Sequence, residues 1–176
     1  MKTIFFDESS NIIKNKRKLE NFLSIKIILN NKEITIEGNA EDEYIAEKVF
    51  DAINMGFSVP IALLIREEDF ILEILDIKKF THRKDLEVIR ARIIGAGGKT
   101  LKTLNTLTDC HFEIKDNEVG IIGSPENIEN AHKAVASIIQ GSKQANVYAF
   151  LEKHQVQPVV DLGLKEKRKG RAISRK

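Results

Sequence analysis

Residues 92–104 read RIIGAGGKTLKTL and pack three glycines into the four positions 95–98, where one apolar-patterned segment ends and another begins. A glycine inside a regular element costs about 0.5–1 kcal/mol relative to alanine. Such a cluster marks a place where backbone turns tightly or meets something closely. Upstream, DLEVIRARII (85–94) sets Leu86, Ile89, Ile93 and Ile94 at helical spacing, and downstream KTLKTLNTLT (99–108) does the same with Leu101, Leu104 and Leu107. The glycines therefore join two helices.

Further out the period changes from helix to strand. ILEILDIKK (71–79) alternates as a strand, and CHFEIKD places Cys110, Phe112 and Ile114 on one strand face. Asp116 and Asn117 read as the turn of a hairpin into EVGIIG (118–123). Ser124 is an N-cap with Pro125 at the first helical position, and Ile128, Ala131, Val135, Ile138 and Ile139 form one stripe behind it. The predicted order is β-α-α-β-β-α.

A shift of 85 residues lays EITIEGNAEDEYIAEKVFDAINMG (33–56) without gaps on EVGIIGSPENIENAHKAVASIIQG (118–141). Glu33, Ile34, Ile36, Gly38, Ala46, Lys48, Ile53 and Gly56 then fall on identical or similar residues, so the chain reads as a duplication. At the same offset Gly95 and Gly98 fall on Ser10 and Ile13, where SNII replaces GAGG. The stretch before that loop, after TIFF, is too short for a full first helix.

A helix starting at Lys99 presents free N–H groups and the positive end of its macrodipole, and glycines before it leave room for a phosphate. GAGG alone fits that reading and a plain tight corner equally well. A nucleotide P-loop is disfavoured, because GGKT follows an apolar helix instead of a strand and lacks the first glycine at its spacing.

The 176 residues, 42% hydrophobic and 31% charged, make a globular chain of one ordinary domain or two small ones. A single cysteine, Cys110, forms no internal disulfide. The longest apolar run, FSVPIALLI, is about half of the roughly 18 residues a membrane span needs, and MKTIFFDESS turns acidic early for a signal peptide. The expectation is a cytoplasmic protein with no membrane partner. Net charge is only +2, but residues 165–176, KEKRKGRAISRK, hold 7 basic and 1 acidic side chains. Such a tail suits a polyanion by counterion release, as well as a solvated end. Residues 1–70 carry 9 basic and 13 acidic side chains, so KNKRK at 14–18, which could touch RNA, reads more readily as a solvated helix face. The carboxylates of EGNAEDEYIAE suit a helix start by the same dipole argument. Cys110 and His111 point to opposite strand faces, and His82, His132 and His154 show no ligand spacing. No catalytic constellation, metal set or cofactor signature is present in the sequence.

The stretch RIIGAGGKTLKTLNTLTDCHFEIKDNEVGIIGSPENIENAHKAVASII resembles a eukaryotic-type KH domain, with Gly95, Ala96, Gly97 and Gly98 matching the GxxG loop. In KH domains that loop clamps about four nucleotides of single-stranded backbone beside a base-binding groove. Family loops usually carry lysine or arginine between the outer glycines. Here Ala96 and Gly97 stand there, which moves the charge to Lys99, Lys102, Arg90 or Arg92. The segments MGFSVPIALLIREEDFILEILDIKKF (55–80) and IIQGSKQANVYAFLEK (138–153) are similar to the pre-ribosomal KH family known as partner of NOB, or DIM, and most like its archaeal members. The sister KRR processome family shares KTLKTLNTLT, but the NVYAFL ending fits it poorly.

The resemblance implies an α+β chain of two tandem type I KH domains, the first degenerate. Residues 1–58 would be the KH-like unit without GxxG, 59–70 a connector, 71–155 the KH domain and 156–176 a basic tail. It further implies binding of the 3′ end region of (pre-)16S ribosomal RNA through the second unit. A PIN-domain endonuclease and an initiation-factor 2 subunit are the implied protein partners. Gly95 to Gly98, Lys99, Lys102, Arg90 and Arg92 would meet phosphates, and Ile89, Ile93, Ile94, Leu104 and Ile114 would line the groove. The alternative is a protein–protein adaptor with incidental RNA contact.

Overall fold

The structure, a computed structural model, describes residues 2–5, 10–30, 33–67 and 69–155. The basic tail at 156–176 lies outside the described residues. Elements follow in the order β1 (Lys2–Phe5), α1 (Ser10–Leu23), β2 (Lys26–Asn30), β3 (Glu33–Glu37), α2 (Ala40–Met55) and α3 (Val59–Ala62), then β4 (Ile71–Asp76), α4 (Leu86–Ile94), α5 (Lys99–Thr108), β5 (His111–Lys115), β6 (Glu118–Gly123), α6 (Pro125–Ile139) and α7 (Gln144–Lys153).

The described residues form two antiparallel three-stranded sheets, ordered β1-β3-β2 and β4-β6-β5, each with its last strand in the middle. Their registers correspond in part. Ile27 faces Ile36 as Phe112 faces Ile121, which keeps the 85-residue offset. Lys2 faces Ile36 whereas Glu73 faces Ile121, so between the first strands the offset is 71 residues. The first half is therefore 14 residues shorter between its first two strands, and one helix, α1, stands where the second half has α4, the glycine turn and α5.

Local signals account for the helices. Asn39 caps α2 by accepting the Asp42 N–H at 2.9 Å, and Glu41, Asp42 and Glu43 occupy the first turn at the positive end of the dipole. Gly56, at φ 110, closes α2 in the left-handed region, and Gly141, at φ 102, follows α6 in the same way. Ser124 takes the N-cap backbone position before α6, but its side chain makes no capping hydrogen bond. The strand expected over 71–79 ends at Asp76, because its carboxylate accepts the Lys78 N–H at 2.9 Å and turns Ile77–Lys79 into a 3-10 turn.

β6 reads EVGIIG, nearly unbroken in apolar residues, because both of its faces are covered. Val119 and Ile121 join the core under α4, α5 and α6, while Ile122 joins the core of the first half. Met55 and Phe57 lie against Gly120 on that second face. The 59–70 segment is partly helical and seats Val59, Ala62 and Leu63 in the first core. Among the described residues no helix is long and apolar enough to cross a membrane.

Candidate nucleic-acid interface

The corner between α4 and α5 uses its glycines for two different reasons. Gly95 has φ 75 and ψ 170, and a Cβ there would overlap the Thr100 side chain and lie 2.7 Å from the Thr100 nitrogen. Only glycine lets α4 and α5 approach so closely. Gly97 and Gly98 have φ of 59 and 77, yet nothing stands within 4 Å of their Cβ positions. Their bareness leaves an open surface directly before the N-terminus of α5.

A brace holds the corner from behind. Thr100 is 3% exposed, and its Oγ1 accepts a 2.9 Å hydrogen bond from Gln144 Nε2. The same Nε2 donates to the Arg92 carbonyl at 3.2 Å, and the Arg92 guanidinium donates to the Ser142 carbonyl at 2.8 Å. The connection from α6 to α7 thus fixes both helices that flank the glycines.

In front of the corner lies a groove of about 350 Å³ lined by Ile94, Leu101, Lys102, Asn105, Glu113 and Ile114, with Gly98 at its edge. Ile94, Leu101 and Ile114 form its apolar part, and Ile94 is 40% exposed. Asn105 Oδ1 is buried without a hydrogen-bond partner among the described residues. An orphan acceptor in such a place calls for a donor from elsewhere. Burial pushes the Glu113 carboxyl above the usual glutamate range. Lys102 and Lys99 stand exposed on the α5 side, where they meet solvent or a polyanion.

A glycine corner at a helix N-terminus beside a mostly apolar groove with one orphan acceptor agrees with the comparisons to known proteins. A family model for the second KH domain of PNO1, a eukaryotic-type KH domain (KH-domain type I), matches residues 71–156. A KH domain-containing protein of Methanocaldococcus jannaschii is 27% identical over 147 residues, covering 80% of this chain and 65% of that one. RNA-binding protein PNO1 of Oryzias latipes is 33% identical over 134 residues, covering 72% and 55%. The solved a/eIF2alpha–aDim2p–rRNA complex from Pyrococcus horikoshii OT3 contains a chain with the same fold, at TM-score 0.80 and 25% identity, covering 88% of this chain and 93% of that one. The chain belongs to the PNO1/Dim2 family of KH-domain proteins. It spans 65% and 55% of the length of these two curated relatives.

Within this KH arrangement the expected site residues separate into three groups. Gly95, Ala96, Gly97, Gly98, Lys99, Lys102, Ile94 and Ile114 gather at the corner and groove. Arg90 and Arg92 point to protein acceptors. Arg90 donates to the Asp116 carbonyl at 2.7 Å and to Asn117 Oδ1 at 2.9 Å, which ties α4 to the β5–β6 turn. Ile93 is a correction. It is 0% exposed, as is Leu104, and Ile89 is 1% exposed, so all three build the core beneath the groove and none lines it. On α4 the positions 89 and 93 share one face, and Ile94 sits a hundred degrees away, toward the groove.

Leu101, Asn105, Glu113 and Gln144 belong to the KH site without having been expected in it. The first two were legible in principle, because Gly98, Leu101 and Asn105 follow at spacings of three and four on one face of α5. Gln144 gave no local signal, since its partners lie 44 and 52 residues away.

Proposed function

We propose that this protein is a non-catalytic assembly factor of the small ribosomal subunit. Its second KH unit holds single-stranded RNA from the 3′ end region of (pre-)16S ribosomal RNA. The observation that carries this reading is the pair Gly97 and Gly98, bare and at positive φ, bordering an apolar groove at the start of α5. Phosphates sit against the bare glycines and the first amides of α5, with Lys99 and Lys102 adding salt-sensitive attraction. Bases stack and pack between Ile94, Leu101 and Ile114, while Asn105 Oδ1 and the Glu113 carboxyl accept hydrogen bonds from base amino groups. The rRNA named in the Dim2p complex supports the substrate.

The first half reads as a degenerate KH unit over residues 1–58, joined by 59–70 to the binding unit at 71–155. Its strand order and 85-residue register support that reading, and the sequence before its α1 contains no glycine. The implied protein partners are an initiation-factor 2 subunit, supported by the a/eIF2alpha named in the same complex, and a PIN-domain endonuclease, which rests on the family resemblance alone.

The test is a fluorescence-anisotropy titration of a labelled oligoribonucleotide carrying the 3′ end of 16S rRNA. Gly97→Asp/Gly98→Asp is compared with the wild-type chain. Asp fits the left-handed backbone and the open space, so the fold survives and the carboxylates repel phosphate. Affinity is expected to fall by at least about tenfold, equivalent to roughly 1.4 kcal/mol of like-charge repulsion. Unchanged binding moves the site elsewhere, and absence of binding by either protein favours the adaptor reading.

A further inference from the structure

In the sheet β4-β6-β5 the groove of the KH site adjoins β5, and the opposite edge belongs to β4. Among the described residues β4 pairs with β6 alone, so every second residue of β4 directs its N–H and C=O groups outward. Ile71 and Ile74 on this strand are each 42% exposed. An uncovered apolar edge is a template for a further strand.

Beside that edge runs a groove of about 480 Å³ between β4 and α6, lined by Ile71, Pro125 and Ile128 together with Glu73, His132 and Lys133. Its charged groups are engaged within the protein. Glu73 meets His132 Nδ1 at 2.5 Å, and Lys133 donates to Glu129 at 2.6 Å. The three apolar side chains are what the groove offers to an occupant. A second recess, of about 400 Å³, shares Pro125 with the groove at the start of β4 and is lined by Asp69, Ser124 and Glu126, the two carboxylates exposed. Groove and recess together fit an apolar strand that leads into positive charge.

We propose that residues 159–164 of this chain, VVDLGL, add to the edge of β4 as a fourth strand, antiparallel to it, with the basic run KEKRK (165–169) at Asp69 and Glu126. The sequence of the segment and its point of departure support this. Val160, Leu162 and Leu164 alternate, so in a strand they share one face, the face that meets Ile71, Pro125 and Ile128. Pro158 stands before the strand, where its missing N–H breaks no ladder. Asn130 Nδ2 of α6 donates to the His154 carbonyl at 3.0 Å, so the chain departs from the helix that walls the groove. Residues 155–159 reach about 17 Å when extended. The helix they cross is about 10–12 Å wide. Charge sets the direction, because only an antiparallel strand delivers the lysines to the carboxylates at the start of β4. A tethered segment acts at high effective concentration without a second molecule. The basic run is thereby held at the sheet edge opposite the KH groove.

The test is amide hydrogen exchange on the full chain at two protein concentrations. In Val160→Asp/Leu162→Asp the outward amides of residues 71–74 are expected to exchange at least about tenfold faster than in the wild type, while those of β6 keep their rates and report an intact fold. Ile71→Lys, a change at the exposed edge, is expected to speed exchange at residues 160–164 in the same way. Outward β4 amides that exchange alike in the wild type and the aspartate variant overturn the proposal. Slow β4 exchange that fades on dilution assigns the edge to a second copy of the chain and overturns it as well.

Discussion

A Cβ on Gly95 would overlap the Thr100 side chain and come within 2.7 Å of the Thr100 nitrogen, whereas the same atom on Gly98 would meet nothing within 4 Å. Both residues have positive φ, but Gly98, at ψ 11, is left-handed, which costs an alanine about 1–2 kcal/mol, whereas Gly95, at ψ 170, lies in an essentially glycine-only region that costs on the order of 1–3 kcal/mol. Gly95→Ala adds overpacking of about 1–3 kcal/mol. Urea unfolding is therefore expected to show Gly95→Ala less stable than Gly98→Ala by at least that overpacking amount. Equal midpoints for the two variants contradict this division of roles between the glycines.

Gln144→Ala removes the donor that joins Thr100 Oγ1 to the Arg92 carbonyl. Leaving buried polar atoms unpaired costs about 1–3 kcal/mol. The loss is local to the corner, so the amides of Gly95 and Gly98, bonded to the Ala91 and Gly95 carbonyls, are expected to exchange hydrogen faster while those of β6 exchange as before. Unaltered exchange at Gly95 and Gly98 would mean that α7 does not brace the corner.

These long-range ties mark the limit of what the residues announce. α5 occupies Lys99–Thr108, the range its leucine period predicts, because a helix face against a core repeats regularly along the chain. The glycine corner was legible for a similar reason, since positive φ restricts residue choice locally. Periodicity does not say which neighbour a face meets. Ile93 and Ile94 are adjacent apolar residues, and only the packing of α4 decides that the first is sealed in the core and the second is open to the groove. Arg90 and Arg92 carry charge suited to phosphate, but carbonyls at Asp116 and Ser142 claim their guanidinium groups.

Glu113 makes stability depend on pH in a direction opposite to that of a salt-bridged carboxylate. Burial raises its pKa above the ordinary glutamate value of 4.5, so the folded chain keeps this proton to higher pH than the unfolded chain does. In the window between the two values the folded state binds more protons. Stability therefore falls as pH rises through that window, and the penalty is complete above it. Glu113→Gln removes the penalty. Its unfolding midpoint is expected to gain on the wild type between about pH 4 and pH 7, near the lower and above the upper edge of ordinary carboxyl titration. A midpoint difference that stays constant over that interval argues against a half-buried, reluctant carboxylate.

Gly120 sits in the central strand where the duplicated sequence has Thr35, and the exchange follows from contact between the halves. A Cβ at Gly120 would lie 2.8 Å from Phe57 Cε2 and 3.3 Å from the Met55 methyl, so the bare strand is what admits Phe57, itself 2% exposed. Gly120→Ala pushes the ring off its seat and is expected to cost about 1–3 kcal/mol. Phe57→Leu trims the ring at the point of collision and carries its own loss of packing. In the double variant the alanine occupies space the ring has vacated, so the two losses combine to less than their sum. Urea unfolding of the four proteins in this cycle measures the coupling, expected at about 0.5–3 kcal/mol for residues in contact. Strictly additive losses would show that Gly120 is not kept bare by Phe57.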